Sequence, residues 1–134
     1  MPHVVAEAAK RLTAEGLDGR ASVVGGSFFD GVPAGGDAYI LSHIIHDWDE
    51  AKALRILEHV RAAKNPGGKV LLVEMVVPPP NVPHPAKMLD VTMLTVTGGQ
   101  ERTADEYRDL LAKAGLRLTR VIPTMSPVSI VEAE

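Results

Sequence analysis

Lys69-Val70-Leu71-Leu72-Val73-Glu74-Met75-Val76-Val77 is the stretch that decides the fold. Val70 to Val73 form a continuous apolar run, the pattern of a strand covered on both faces, as in a parallel sheet. Glu74 interrupts the run and Pro78-Pro79-Pro80 stops it, whereas a membrane span needs ~20 predominantly apolar residues, so no membrane partner is expected. Just upstream, Asn65-Pro66-Gly67-Gly68 is a helix stop, and before it Ala53, Ile56, Leu57 and Val60 recur at helical spacing. The run Asp47-Trp48-Asp49-Glu50 opens that helix, with an acceptor at a possible N-cap and a carboxylate three residues on. Residues 37–42 read as a second buried strand, which completes a βαβ unit.

On the N-terminal side, Val4, Val5, Ala8, Ala9 and Leu12 mark a helix from Pro2 to roughly Glu15, closed by Gly16. Residues 21–25 are expected to be a short strand, and the glycines and prolines from Gly25 to Gly36 a turn-rich connection. On the C-terminal side, a proline-rich loop over 78–85 leads into a helix over 86–97. That helix is apolar nearly all round and is expected to be buried by the core, a partner subunit or a ligand. Gly98-Gly99 breaks it, Thr103 and Glu106 make a capping box for a helix to about Ala114, and Gly115 closes that one. Strands over 116–124 and 129–132 finish the chain, joined by a turn at Met125-Ser126-Pro127. The 134 residues are read as one domain, 1–134.

Composition narrows the function. Net charge is −3 and the 14 Lys and Arg are scattered, so nucleic acid is not an expected partner. The absence of cysteine excludes a disulfide framework, thiolate catalysis and a Cys-based zinc site, and it agrees with a cytoplasmic protein. The first residues lack the charged and apolar regions of a secretory signal.

His46 follows the strand over 37–42 and Glu74 lies late in the next strand, so both project from the carboxyl ends of neighbouring parallel strands, where open α/β sheets bind ligands. A neutral imidazole can accept a proton at neutral pH, and a carboxylate can fix its tautomer and stabilise its cation. Read alone, His46 is more plainly a hydrogen-bonded structural histidine than a catalytic one. Glu74 is costly to bury unpaired and therefore faces a polar cleft or a partner. Glu101, beside Arg102, has a surface ion pair as its plain alternative. His43, His46 and Asp47 straddle a strand-to-loop transition and lack zinc-site spacing, so no metal is expected. Met93, Trp48 and Phe28, read alone, are more ordinarily packing residues.

Several segments together resemble the catalytic domain of the S-adenosylmethionine (SAM) dependent small-molecule O-methyltransferases, the caffeic acid and acetylserotonin O-methyltransferase-like family. They are Pro2-His3-Val4-Val5, Val24-Gly25-Gly26-Ser27-Phe28-Phe29, His46-Asp47-Trp48, Asn65-Pro66-Gly67-Gly68, Leu72-Val73-Glu74, Asp90-Val91-Thr92-Met93-Leu94 and Gly98-Gly99-Gln100-Glu101-Arg102-Thr103. The resemblance implies an α/β, Rossmann-like class I methyltransferase sheet in the order 3-2-1-4-5-7-6 with its last strand antiparallel. This chain would carry strands 3 to 7 and lack the first two, together with the glycine-rich cofactor loop and the acidic ribose ligand. It also implies His46 as general base with Glu74 and Glu101 as flanking carboxylates. Ser27, Phe28, Ser42 and Trp48 would lie toward SAM, and Asp47 and Met93 toward a small aromatic hydroxyl substrate.

Two departures from the family pattern stand in the sequence. Ser27 replaces an acidic residue and Ser42 a lysine, which weakens the expected grip on SAM. Weak or absent activity of this chain alone is therefore expected, the rival being a non-catalytic homologue acting as a partner or regulatory subunit. The exposed strand edge over 38–41 would pair with a second copy, giving a homodimer, or with a complementing N-terminal half. The Ala and Gly content suggests a bacterial member.

Overall fold

The computed structural model describes residues 2–134, with side chains from Val4 onward. Helix α1 spans Pro2–Ala14, strand β1 Gly36–Ser42, helix α2 Glu50–Ala63, strand β2 Lys64–Val77 and helix α3 Ala86–Val96. Strand β3, Arg102–Thr103, runs straight into helix α4, Ala104–Lys113, and the chain ends in strands β4, Leu118–Pro123, and β5, Val128–Ala133. A single 3-10 turn, Ile45–Asp47, lies between β1 and α2.

The sheet order is β1-β2-β5-β4, with β3 attached separately to β2. Strand β1 is parallel to β2, with Ala38 opposite Lys69 and Ser42 opposite Val73. Strand β5 is antiparallel to both β2 and β4. This is the expected partial sheet with its last strand antiparallel. Val70, Leu72 and Glu74 alternate onto one face of β2 and are buried there. Ala53, Ile56, Leu57 and Val60 of α2 pack on that face with Tyr107, Leu110 and Leu111 of α4. The stripe read from the sequence is the buried face of α2.

Four expectations are corrected. Residues 21–25 form no strand: a ladder needs a partner, and β1 pairs with β2 alone among the described residues. The N-cap of α2 is Asp49, whose side chain accepts from the Lys52 N–H at 2.9 Å, so the acceptor sits later than the pattern at Asp47 and has no reciprocal glutamate. Strand β2 begins at Lys64, because Gly36 pairs with Lys64 before an irregularity that readmits the ladder at Lys69. Finally, only Ala86 of α3 is buried; Met88, Val91, Leu94 and Val96 lie open to solvent. The other helices behave as read: Thr103 and Glu106 form the reciprocal capping box, and Gly115 takes the left-handed conformation, φ +75°, that ends α4.

No residue from Val4 to Ile44 is buried, and the core begins at Ile45. No helix among the described residues is long and apolar enough to cross a membrane.

Candidate active site at the carboxyl ends of the strands

His46 lies in the 3-10 turn after β1, and its ring is nearly inaccessible. Its Nδ1 is 2.6 Å from Glu101 Oε1. With an ionised carboxylate as acceptor, Nδ1 carries the ring proton and Nε2 keeps its lone pair. Asp47 Oδ1 stands 3.6 Å from that Nε2. Glu74 arrives from β2, with Oε2 3.7 Å from the same Nδ1. Its other oxygen, Oε1, accepts the backbone N–H groups of Ile44 at 3.1 Å and Ile45 at 2.8 Å. Two glutamates far from His46 in sequence thus converge on its imidazole, beside the adjacent Asp47. The second oxygens of both glutamates are buried and have no hydrogen-bond partner. Burial pushes the Glu74 carboxyl above its ordinary range; the nearby His46 and the two backbone donors oppose that shift, and Glu101 adds to it.

The segment carrying Glu101 is fixed by contacts the sequence reading did not single out. The Glu101 N–H donates to Asp90 Oδ1 of α3 at 2.8 Å. The Gln100 N–H donates to the His46 carbonyl at 2.9 Å. Next to it, a Cβ on Gly99 would fall 1.9 Å from that carbonyl oxygen, so only glycine permits the two chains to cross there. Arg102 is buried and donates to the carbonyls of Ile45, Gln100 and Trp48 at 3.2, 3.3 and 3.4 Å. Arg102 therefore holds the His46 turn against β3, and the surface ion pair with Glu101 is not formed. Tyr107 of α4 is buried beneath these groups, and burial raises its phenol well above the ordinary value. The Gly98-Gly99 pair was legible as a helix break; its second role requires knowing that His46 lies across it.

Phe28, Phe29 and Trp48 form an edge-to-face cluster, with ring centroids 4.9 Å apart for the two phenylalanines and 4.8 Å for Phe29 and Trp48. Ser27 is exposed and accepts the Phe29 N–H at 3.3 Å. Ser42 is exposed at the end of β1. An apolar groove of about 630 Å³ runs along the open edge of β1 and is lined by Phe28, Tyr39, Ile40, Leu41, Ser42 and Ile44, among others. A neighbouring cavity of about 600 Å³ includes Ser27 and Phe28. Met93 is half-buried on α3, its sulfur 3.9 Å from the Thr97 hydroxyl. The four residues read as facing SAM supply two aromatic faces and two hydroxyls. That suits a nucleoside and offers no charge to an amino-acid end.

His43, His46 and Glu74 bring ligand-type atoms within 4.8 Å of one another. His46 Nδ1 is already engaged by Glu101.

The O-methyltransferase domain family matches residues 1–117. The phenazine O-methyltransferase PhzM of Lysobacter antibioticus is 50% identical over 132 residues, which are 98% of this chain and 39% of that protein. The crystal structure of LaPhzM superposes with a TM-score of 0.93 at 49% identity, covering 100% of this chain and 40% of that one. NcsB1, an O-methyltransferase from neocarzinostatin biosynthesis solved with SAM and 2-hydroxy-5-methyl naphthoic acid, superposes with a TM-score of 0.86 at 43% identity. It is matched over 96% of this chain and 38% of its own. The chain spans about two fifths of the length of these relatives. On sequence and fold together, it belongs to the O-methyltransferase domain family.

Proposed function

We propose that this chain is the acceptor-activating part of a SAM-dependent O-methyltransferase acting on a hydroxyl of a small aromatic metabolite. The observation that carries this reading is the 2.6 Å contact between His46 Nδ1 and Glu101 Oε1 in a buried cluster at the carboxyl ends of β1 and β2. A phenol ionises near pH ~10, so a positioned base is needed to expose its oxygen as a nucleophile at neutral pH. His46 Nε2 accepts that proton, and Glu101 fixes the tautomer and balances the resulting cation. Glu74 is the second carboxylate beside the ring. Bound SAM would supply the electrophilic methyl group. Ser27, Phe28, Ser42 and Trp48 line its side of the site, and Asp47 and Met93 face the acceptor. The naphthoic acid held by NcsB1 supports an aromatic acceptor.

The open edge of β1, with Ile40 67% exposed, would be covered by a second copy of the chain or by a complementing N-terminal half. The same exposure favours one rival, a non-catalytic homologue that works as a partner subunit.

Calorimetric titration of the chain with SAM or its demethylated product separates the two readings. Micromolar binding is expected of an independent enzyme, and replacing His46 by Asn should then lower methyl transfer to hydroxylated naphthoates by ~10²–10⁴ while leaving SAM binding intact. No heat at millimolar ligand would leave only the fragment or the partner reading.

A further inference from the structure

Helix α3 contributes no residue to the hydrophobic core and leaves Met88, Val91, Leu94 and Val96 open to solvent. Ala86 is buried, and Asp90 and Met93 are half-buried. These three stand at i, i+4 and i+7, so one face of α3 carries Asp90 and, one turn on, Met93. The Asp90 carboxylate accepts the Glu101 N–H at 2.8 Å, and the same Glu101 places Oε1 2.6 Å from His46 Nδ1. Among the described residues, the other side-chain hydrogen bonds of α3 stay local: Lys87 donates to the Pro79 carbonyl, Thr92 to that of Met88 and Thr95 to that of Val91. Asp90 is thus the side chain by which this outlying helix is bonded to the site.

We propose that Asp90 is a positioning residue: it fixes the peptide plane before Glu101 and so aims the Glu101 side chain at His46 Nδ1, which sets the place of α3 and the hydrogen bonding of the imidazole together. The geometry concerns the ring and its neighbours; its value to catalysis rests on His46 being the base, as proposed above.

Other contacts hold this segment, and none fixes the same peptide. The Gln100 N–H donates to the His46 carbonyl at 2.9 Å, the Arg102 side chain donates to the Ile45 carbonyl at 3.2 Å, and Arg102 and Thr103 pair with β2. These bonds keep two stretches of chain side by side at residues 100 and 102. The planar peptide between 100 and 101 carries the Glu101 N–H, and rotating it swings the Glu101 Cα–Cβ bond away from the ring. A hydrogen bond weakens steeply off its axis, so the contact with Nδ1 tolerates little of that rotation. Glu101 has no second hold to fall back on, since its side chain is buried and its Oε2 has no hydrogen-bond partner. An acceptor resting on Met93 would press on the same helix that holds Glu101.

The test reads the His46 Nδ1–H proton by NMR in the full chain and two variants, with no need for turnover. In the unaltered chain this proton should resonate far downfield, as a short bond to a buried carboxylate requires. Asp90→Ala removes the acceptor of the Glu101 N–H and should move the resonance upfield or lose it to solvent exchange. Asp90→Asn keeps an oxygen in the same place and should preserve it. A merely stabilising Asp90 would lower the urea midpoint of the alanine variant and leave the ring proton where it was; that result overturns the proposal, and so does equal disturbance by both variants. Should Asp90→Ala fail to fold, the unaltered chain decides: a scalar coupling between the Glu101 amide nitrogen and the Asp90 carboxyl carbon is expected, and its absence counts against the assignment. Failure to transfer methyl groups would bear on the proposed function alone, whereas an unmoved ring proton strikes the role of Asp90.

Discussion

Glu74 and Glu132 stand at opposite ends and on opposite faces of adjacent strands, both buried, and the sheet treats them in opposite ways. At the carboxyl end of β2, Glu74 meets two backbone donors and a histidine that another glutamate already holds. Away from that end, Glu132 of β5 accepts from Lys69 of β2 at 2.8 Å and from Arg120 of β4 at 2.9 Å, and Thr119 adds a third donor at 3.0 Å. Arg120 and then Lys69 hold its carboxyl down at about 2, while burial pushes Glu74 up. With little solvent reaching either side chain, the two carboxyls shift in opposite directions, because Glu132 takes hydrogen bonds from two cationic side chains and Glu74 takes none from such a group. One end of the sheet is an ordinary ion network; the other is the candidate site.

The sharpest way to break the comparison is to separate the chains that cross at the site. Gly99→Ala puts a Cβ into the His46 carbonyl, a backbone clash that no rotamer relieves, and should cost ~3 kcal/mol or more. The control is Gly26→Ala, where nothing lies within 4 Å; a change within about 0.5 kcal/mol is expected. Urea unfolding of the two variants measures the contrast, and equal midpoints would mean that the crossing does not hold the site together.

Arg102→Met should cost about 2–4 kcal/mol, since it leaves the carbonyls of Ile45, Gln100 and Trp48 without their shared donor in a buried place. The His46 turn should loosen with it. Amide hydrogen exchange should quicken at Gln100, whose N–H bonds the His46 carbonyl, and stay unchanged in β4.

The smallest effect is expected at the opposite end. Because the folded Glu132 titrates at about 2 against an ordinary 4.5, its contribution is present above 4.5 and is lost as pH falls from 4.5 toward 2. Glu132→Gln should flatten that part of the acid-unfolding curve, and 1 M salt should do so in part, since Lys69 and Arg120 are well exposed. An unchanged acid limb in the variant would show that the network is electrostatically idle.

Much of the fold was legible because its signals are local. Ala53, Ile56, Leu57 and Val60 repeat at helical spacing and are the residues that α2 buries. Thr103 and Glu106 carry a capping box within four residues of one another. Residues 21–25 were not legible as extended chain outside the sheet, since a strand exists only where another strand offers it a ladder. The apolar α3 was legible as a helix and misread as a covered one, because coverage depends on what packs beside it.

The site divides in the same way. His46, Glu74 and Glu101 could be picked out by type, by place at strand ends and by resemblance. Gly99 as a crossing point, Asp90 as the anchor of the Glu101 amide and Arg102 as the tie to the His46 turn could not. Periodicity, caps and breaks act over a few residues, so the order of amino acids alone was enough to set which segments coil and which extend. Which of two glutamates touches the imidazole was decided only when segments up to 55 residues apart closed around the ring. Solvent exclusion and the distance to the nearest cation govern a carboxyl's charge, and both come into being with the packed structure.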